Sequence, residues 1–106
     1  MPQLVQEIFD IRGMRQLTPL DLTTTAAETA PFDDLGVEGA VYYMWSEVDC
    51  YFIQKIQGDS DAATLENSIY LHAMTPVSIA ILKGDKINAR SVTGTGKLRF
   101  VRLNRI

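Results

Sequence analysis

Residues 41–56 read VYYMWSEVDCYFIQKI, and the fold class turns on this stretch. Val41, Tyr43 and Trp45 alternate with Tyr42 and Met44, a two-residue period that suits a pleated strand and not a helix. The alternation predicts a core face carrying Val41, Tyr43 and Trp45 and an amphipathic face carrying Tyr42 and Met44. Ser46 and Glu47 then make a tight connection into a second strand over 48–56. Cys50, Phe52 and Ile56 share one face of it, and Tyr51, Ile53 and Lys55 the other. Two apolar strands joined so closely predict a hairpin.

The same texture continues to the C-terminus. Residues 69–72 form a brief strand, Val77, Ile79 and Ile81 alternate again, and KGDK at 83–86 turns into a strand over 87–92, predicting another hairpin. TGTG at 93–96 leads into the last strand, 97–103. Gly84, Gly94 and Gly96 serve these turns; no GxxxxGK[ST] phosphate loop is present. The polar stretch 57–68, QGDSDAATLENS, is too long for a simple turn and is expected to cover one end of the domain. Six or seven strands without helical periodicity after residue 39 predict an all-β fold, an antiparallel β-sandwich or jelly-roll-like domain.

Upstream, apolar residues at 4, 5, 8, 9 and 11 fit a short helix or an extended arm, and 23–39 is rich in Thr, Ala, acids and turn formers. The expected organisation is an N-terminal arm and loop over 1–38 and a sandwich core over 39–106, one domain overall. A length of 106 residues, 46% hydrophobic, suits a single core. No apolar run approaches the roughly 20 residues of a membrane span, and MPQLVQEIFD lacks the basic start and apolar centre of a signal peptide, so no membrane association is expected.

Charge is unevenly distributed. Residues 1–53 hold nine acids and two arginines, a balance of −7, whereas 54–106 hold eight cations and four acids, a balance of +4. Such polarity suits copies meeting acidic face to basic face, and equally two solvated surfaces on one monomer.

Candidate chemistry is sparse. Cys50 and His72 are the only Cys/His pair, but Asp49 would raise the thiol pKa, and a cysteine inside an apolar strand packs as a small hydrophobe. His72 reads as a strand-end surface or interface residue. Asp33 with Asp34, and Asp59 with Asp61, offer oxygen ligands, yet no Glu closes a twelve-residue calcium loop, and Asp and Ser are ordinary turn formers. The terminal run KLRFVRLNR, 97–105, has the cations to follow a nucleic-acid backbone, but only one aromatic, in an acidic protein, and its alternation also suits a half-buried strand. No metal, cofactor, nucleic-acid partner or catalytic set is therefore expected.

The order VYYMWSEVDCYFIQ, GDSDAATLENS, IYLHAMTPVSIAI, KGDKI, INARSV and TGTGKLRFV, spanning 41–103, resembles a group of small tailed-bacteriophage structural proteins found among capsid decoration and head-completion components. The resemblance is one of layout. It implies a non-enzymatic β-sandwich that sits on the outer surface of the virion, binds the major capsid protein, assembles as a homotrimer and acts as cement between capsomers. Residues 1–20 depart from that layout by adding Ile8, Phe9, Ile11, Met14, Leu17 and Leu20. They read either as an assembly arm that packs on a neighbour or as an extra strand on its own domain. Arg99, Arg102 and Arg105 complete the candidate interface, facing a neighbour's Asp33, Asp34 and Glu38; those acids could instead meet a basic capsid patch. Two alternatives stand beside cement: a neck or tail (collar or fibre) component, and a carbohydrate- or receptor-binding module that uses Tyr42, Tyr43, Trp45 and Tyr51 as a stacking surface. Burial of Trp45 would remove most of that surface.

Overall fold

The computed structural model describes residues 15–33, 39–56 and 58–105. Among them lie nine strands and no helix: β1 (Arg15–Gln16), β2 (Leu20–Leu22), β3 (Ala27–Glu28), β4 (Gly39–Ser46), β5 (Cys50–Lys55), β6 (Ile69–Leu71), β7 (Val77–Leu82), β8 (Lys86–Ser91) and β9 (Gly96–Arg105). One sheet runs β1-β9-β4-β7, with β2 also on β9. The other runs β3-β8-β5-β6. All pairings are antiparallel, and the sheets pack face to face as a β-sandwich.

The predicted hairpins do not form. β4 and β5 lie in different sheets, as do β7 and β8, and β8 and β9, so each of these tight connections carries the chain from one sheet to the other. Of the consecutive pairs from β4 onward only β5 and β6 are neighbours, joined across the long polar stretch. A short polar link specifies that the chain turns but not which strand it pairs with; burial of the inner faces decides that. At the first crossing Ser46 is buried, and its Oγ accepts the Val48 N–H at 3.2 Å. At the second, Gly84 holds φ 92°, a left-handed conformation that glycine adopts without steric cost.

The parity of β4 is also the reverse of the expectation. Ala40, Tyr42, Met44 and Ser46 face the core, and Val41, Tyr43 and Trp45 point outward, half-buried. Both parities of this strand are apolar, so the sequence period alone does not choose; Leu98 and Phe100 of β9 and Ile81 of β7 gather on the Tyr42 and Met44 side and settle it. Ile56, expected beside Cys50 and Phe52, lies past the end of β5 and is exposed.

The N-terminal segment is part of the sandwich where it is described. Leu22 is fully buried, Leu17 and Leu20 pack against the core, and Phe32 sits edge-on to Tyr42 and Phe100 at centroid distances of 5.2 and 5.3 Å. Between β3 and the β7–β8 turn the chain stays tied to the second sheet: Thr29 N–H donates to the Ile87 carbonyl at 2.9 Å, Phe32 N–H to that of Asp85 at 2.8 Å, and Gly84 N–H to that of Phe32 at 2.8 Å. Of residues 1–20, the described part, 15–20, thus lies as strand on its own domain, and Leu22 and Phe32, within the expected arm and loop, belong to the buried core. Residues 1–14, which include Ile8, Phe9, Ile11 and Met14, lie outside the described residues, as do Asp34 and Glu38.

The polar stretch after β5 is anchored on β8 of the second sheet. Ala63 is buried there and its N–H donates to Asn88 Oδ1 at 2.8 Å.

Candidate functional site

One side of the sandwich is closed by the chain passing from β2 to β3; the opposite side is the pair of edge strands β6 and β7. This second side carries exposed apolar side chains: Ile69 and Tyr70 on β6, Met74 in the connection, and Leu82 on β7, 55% exposed. Edge strands present unpaired backbone groups and recruit other strands unless they are blocked. Here β7 is blocked over its C-terminal half only. Gln54 reaches from the other sheet to donate to the Ala80 carbonyl at 3.0 Å, and Leu82 N–H donates to Asp85 Oδ2 at 3.3 Å.

Asp49 shapes the same side. Its Oδ1 accepts the Ala73 N–H at 2.7 Å and its Oδ2 the Tyr70 hydroxyl at 2.8 Å, which fixes the connection from β6 to β7. The Ala73 N–H, then the Tyr70 hydroxyl, hold the Asp49 carboxyl below its ordinary range, and Asp49 in turn pushes the Tyr70 phenol up. The Tyr70 ring meets Tyr51 at 5.4 Å and His72 at 4.8 Å, both edge-on. Met74, at φ 60°, donates its N–H to the Ser46 carbonyl at 2.7 Å, so the exposed methionine is held on a fixed backbone. His72 thus sits at the surface against an aromatic ring, while Cys50 is fully buried and its thiol is pushed up, chiefly by desolvation. The structure does not bring the two together as a nucleophile and base.

The outer face of the first sheet holds the second candidate. Arg99 stacks over Trp45 at 5.5 Å and donates to Glu47 Oε2 at 3.0 Å through Nη2. Glu47 Oε1 accepts the Lys97 N–H at 2.9 Å, and its carboxyl is held low, first by Arg99. Since Trp45 is half-buried rather than core, Trp45→Ala is expected to cost about 1–2 kcal/mol in urea unfolding, below the roughly 3–5 kcal/mol of a buried aromatic.

Of the other sequence candidates, Arg102 is 5% exposed and turned into its own domain, and Arg105 pairs with Ala40 at the end of β9. Lys97 bonds Asp21. Lys97, Arg99 and Arg102 of the terminal run are thus directed at their own chain. The charge polarity has the same explanation: Asp21 with Lys97, Glu28 with Lys55 and Lys86, Asp33 with Lys83, and Glu47 with Arg99 each join an acid of the first half to a cation of the second. Asp59 serves its own turn, Oδ1 accepting the Asp61 N–H at 2.9 Å. Among the described residues no three His, Cys, Asp or Glu side chains are grouped to hold a metal ion. Among the described residues no helix is long and apolar enough to cross a membrane.

No family model matches the chain, and no curated protein matches it. A solved chain described as "Bacillus endospore appendages form a novel family of disulfide-linked pili" is 12% identical over 89% of this chain and 90% of that one, with a TM-score of 0.47. A likeness of that size carries no argument about function.

Proposed function

We propose that this chain is a non-enzymatic structural subunit, a capsid cement protein that trimerises and binds the major capsid protein on the outside of a phage head. The observation that supports this reading is the β6/β7 side, where Ile69, Tyr70, Met74 and Leu82 are exposed and the connection between the two strands is held by Asp49. Apolar side chains on a rigid, half-blocked strand edge suit a protein contact. A trimer on equivalent capsid sites then gains avidity, because after the first contact the others are effectively intramolecular.

Light scattering after size exclusion is expected to give a mass near three times 11.8 kDa, independent of concentration. Purified trimer should then sediment with bare shells. A monomer at every concentration would overturn the self-assembly part, and a trimer that ignores shells would overturn the capsid part. Ile69→Lys with Leu82→Lys is expected to lower the mass below that of the trimer with an unchanged cooperative melt, since both side chains are exposed. An unchanged mass would remove this side as the contact. Within a phage particle, copy number separates a cement protein, present many times, from a neck or tail component.

The outward position of Trp45 favours a second reading, a carbohydrate- or receptor-binding module with Trp45 and Tyr43 as the stacking surface. Trp45 is the sole tryptophan, so its fluorescence reports sugar binding directly. A titration that leaves it unchanged would dismiss this reading.

A further inference from the structure

On the closed side of the sandwich, a groove of about 530 Å³ lies between the β1–β2 connection and residues 28–33. Leu17, Leu20, Pro31, Phe32 and Phe100 supply its apolar lining, and Glu28 and Asp33 its acidic members. An apolar cavity of about 150 Å³ holds a benzene-sized ring, so this volume has room for about three large side chains. We infer that the groove receives the apolar segment of residues 4–11 from a second copy of the chain. The inference rests on the self-assembly part of the proposed function and adds a contact on the side away from β6 and β7.

Three observations carry it. The segment LVQEIFDI places Leu4, Val5, Ile8, Phe9 and Ile11 within eight residues, more apolar surface than a solvated tail accounts for. The described chain enters the sandwich in a direction that leaves its own groove behind. Gln16 lies opposite Val101 and Arg15 opposite Arg102, so read towards the N-terminus β1 follows β9 away from Phe100, while Leu17, on the other side, donates its N–H to the Phe100 carbonyl at 3.0 Å. Finally, only residues 12–14 lie between this segment and Arg15, about 13 Å of chain at about 3.3 Å per residue, so the receiving groove is that of a copy packed directly against this one.

The test uses full-length chains. A fluorescent wild-type tracer is titrated with an acceptor carrying Ile8→Asp and Phe9→Asp, whose own segment is disabled, and capture is read as anisotropy. Saturable capture is expected. It should weaken at least about tenfold when the acceptor also carries Ala30→Arg, an exposed substitution in the groove lining, and equally when the tracer carries Ile8→Asp and Phe9→Asp. Contacts at β6 and β7 are the same in every pairing, so only the differences count. Capture that none of these substitutions changes would overturn the groove while leaving self-assembly intact. No capture by this acceptor, with wild type still binding wild type, would place the segment elsewhere and also overturn the inference. Absence of capture in every pairing, wild type with wild type included, would instead mean that self-assembly itself fails.

Discussion

Replacing Phe32 with alanine is expected to lower the free energy of unfolding by about 3–5 kcal/mol, a large share of the total for a domain of this size. The ring is buried and stands edge-on to both Tyr42 and Phe100, so truncation removes two aromatic contacts as well as the transfer free energy of the side chain. Its backbone is fixed independently, by the Phe32 N–H on the Asp85 carbonyl and the Gly84 N–H on its own carbonyl, so the segment has little freedom to collapse into the space left behind. Urea unfolding followed by far-UV circular dichroism measures the change. A cost below about 1 kcal/mol would mean that residues 29–33 are not part of the core.

The second large effect is expected at Glu28. Lys55 Nζ donates to Glu28 Oε1 at 2.6 Å, Asn88 Nδ2 donates to the same oxygen at 3.2 Å, and Lys86 Nζ lies 3.5 Å from Oε2. Lys55 is 3% exposed and pairs in register with Lys86 across β5 and β8, so the carboxylate separates two like charges, one of them buried. Glu28→Ala leaves that buried ammonium uncompensated and is expected to cost about 3–5 kcal/mol. Lys55→Met should cost less, about 1–2 kcal/mol, because Glu28 keeps Lys86, Asn88 and some contact with water. Equal costs would contradict this account. The hydrogen bond from Lys55, foremost, lowers the Glu28 pKa from 4.5. Folding therefore favours the ionised form: its stabilisation is complete above the unfolded pKa and is lost as pH falls through the lower folded value. Wild type should lose urea resistance as pH falls below 4.5, and Glu28→Gln should lose less of it over the same range.

What could be read in advance follows from how local each signal is. The alternation in 41–56 and 77–103, the turn residues at 83–86 and 93–96 and the buried role of Cys50 depend on a residue and its immediate neighbours, and the all-β class and most strand positions followed from them. Phe32 was missed because its neighbours, Pro31 and Asp33, read as loop; only the bonds to Asp85 and Gly84 show it anchored in the core. Lys55 was missed for a related reason. A lysine on a strand reads as solvent-facing until Glu28, 27 residues away in sequence, is seen to meet it.

By itself, then, the sequence determined that the chain folds as strands, where most of them run and where it turns, because a two-residue apolar period and turn-forming residues act over a few bonds. Only the tertiary structure decided which strands pair, which face of β4 is inside and where the charges go. The connections that looked like hairpins join opposite sheets, both faces of β4 are apolar enough to be buried, and the acids of the first half meet the cations of the second within one chain. Each of these is a choice among locally equivalent arrangements, and what separates them is the burial gained when two whole sheets close on one another.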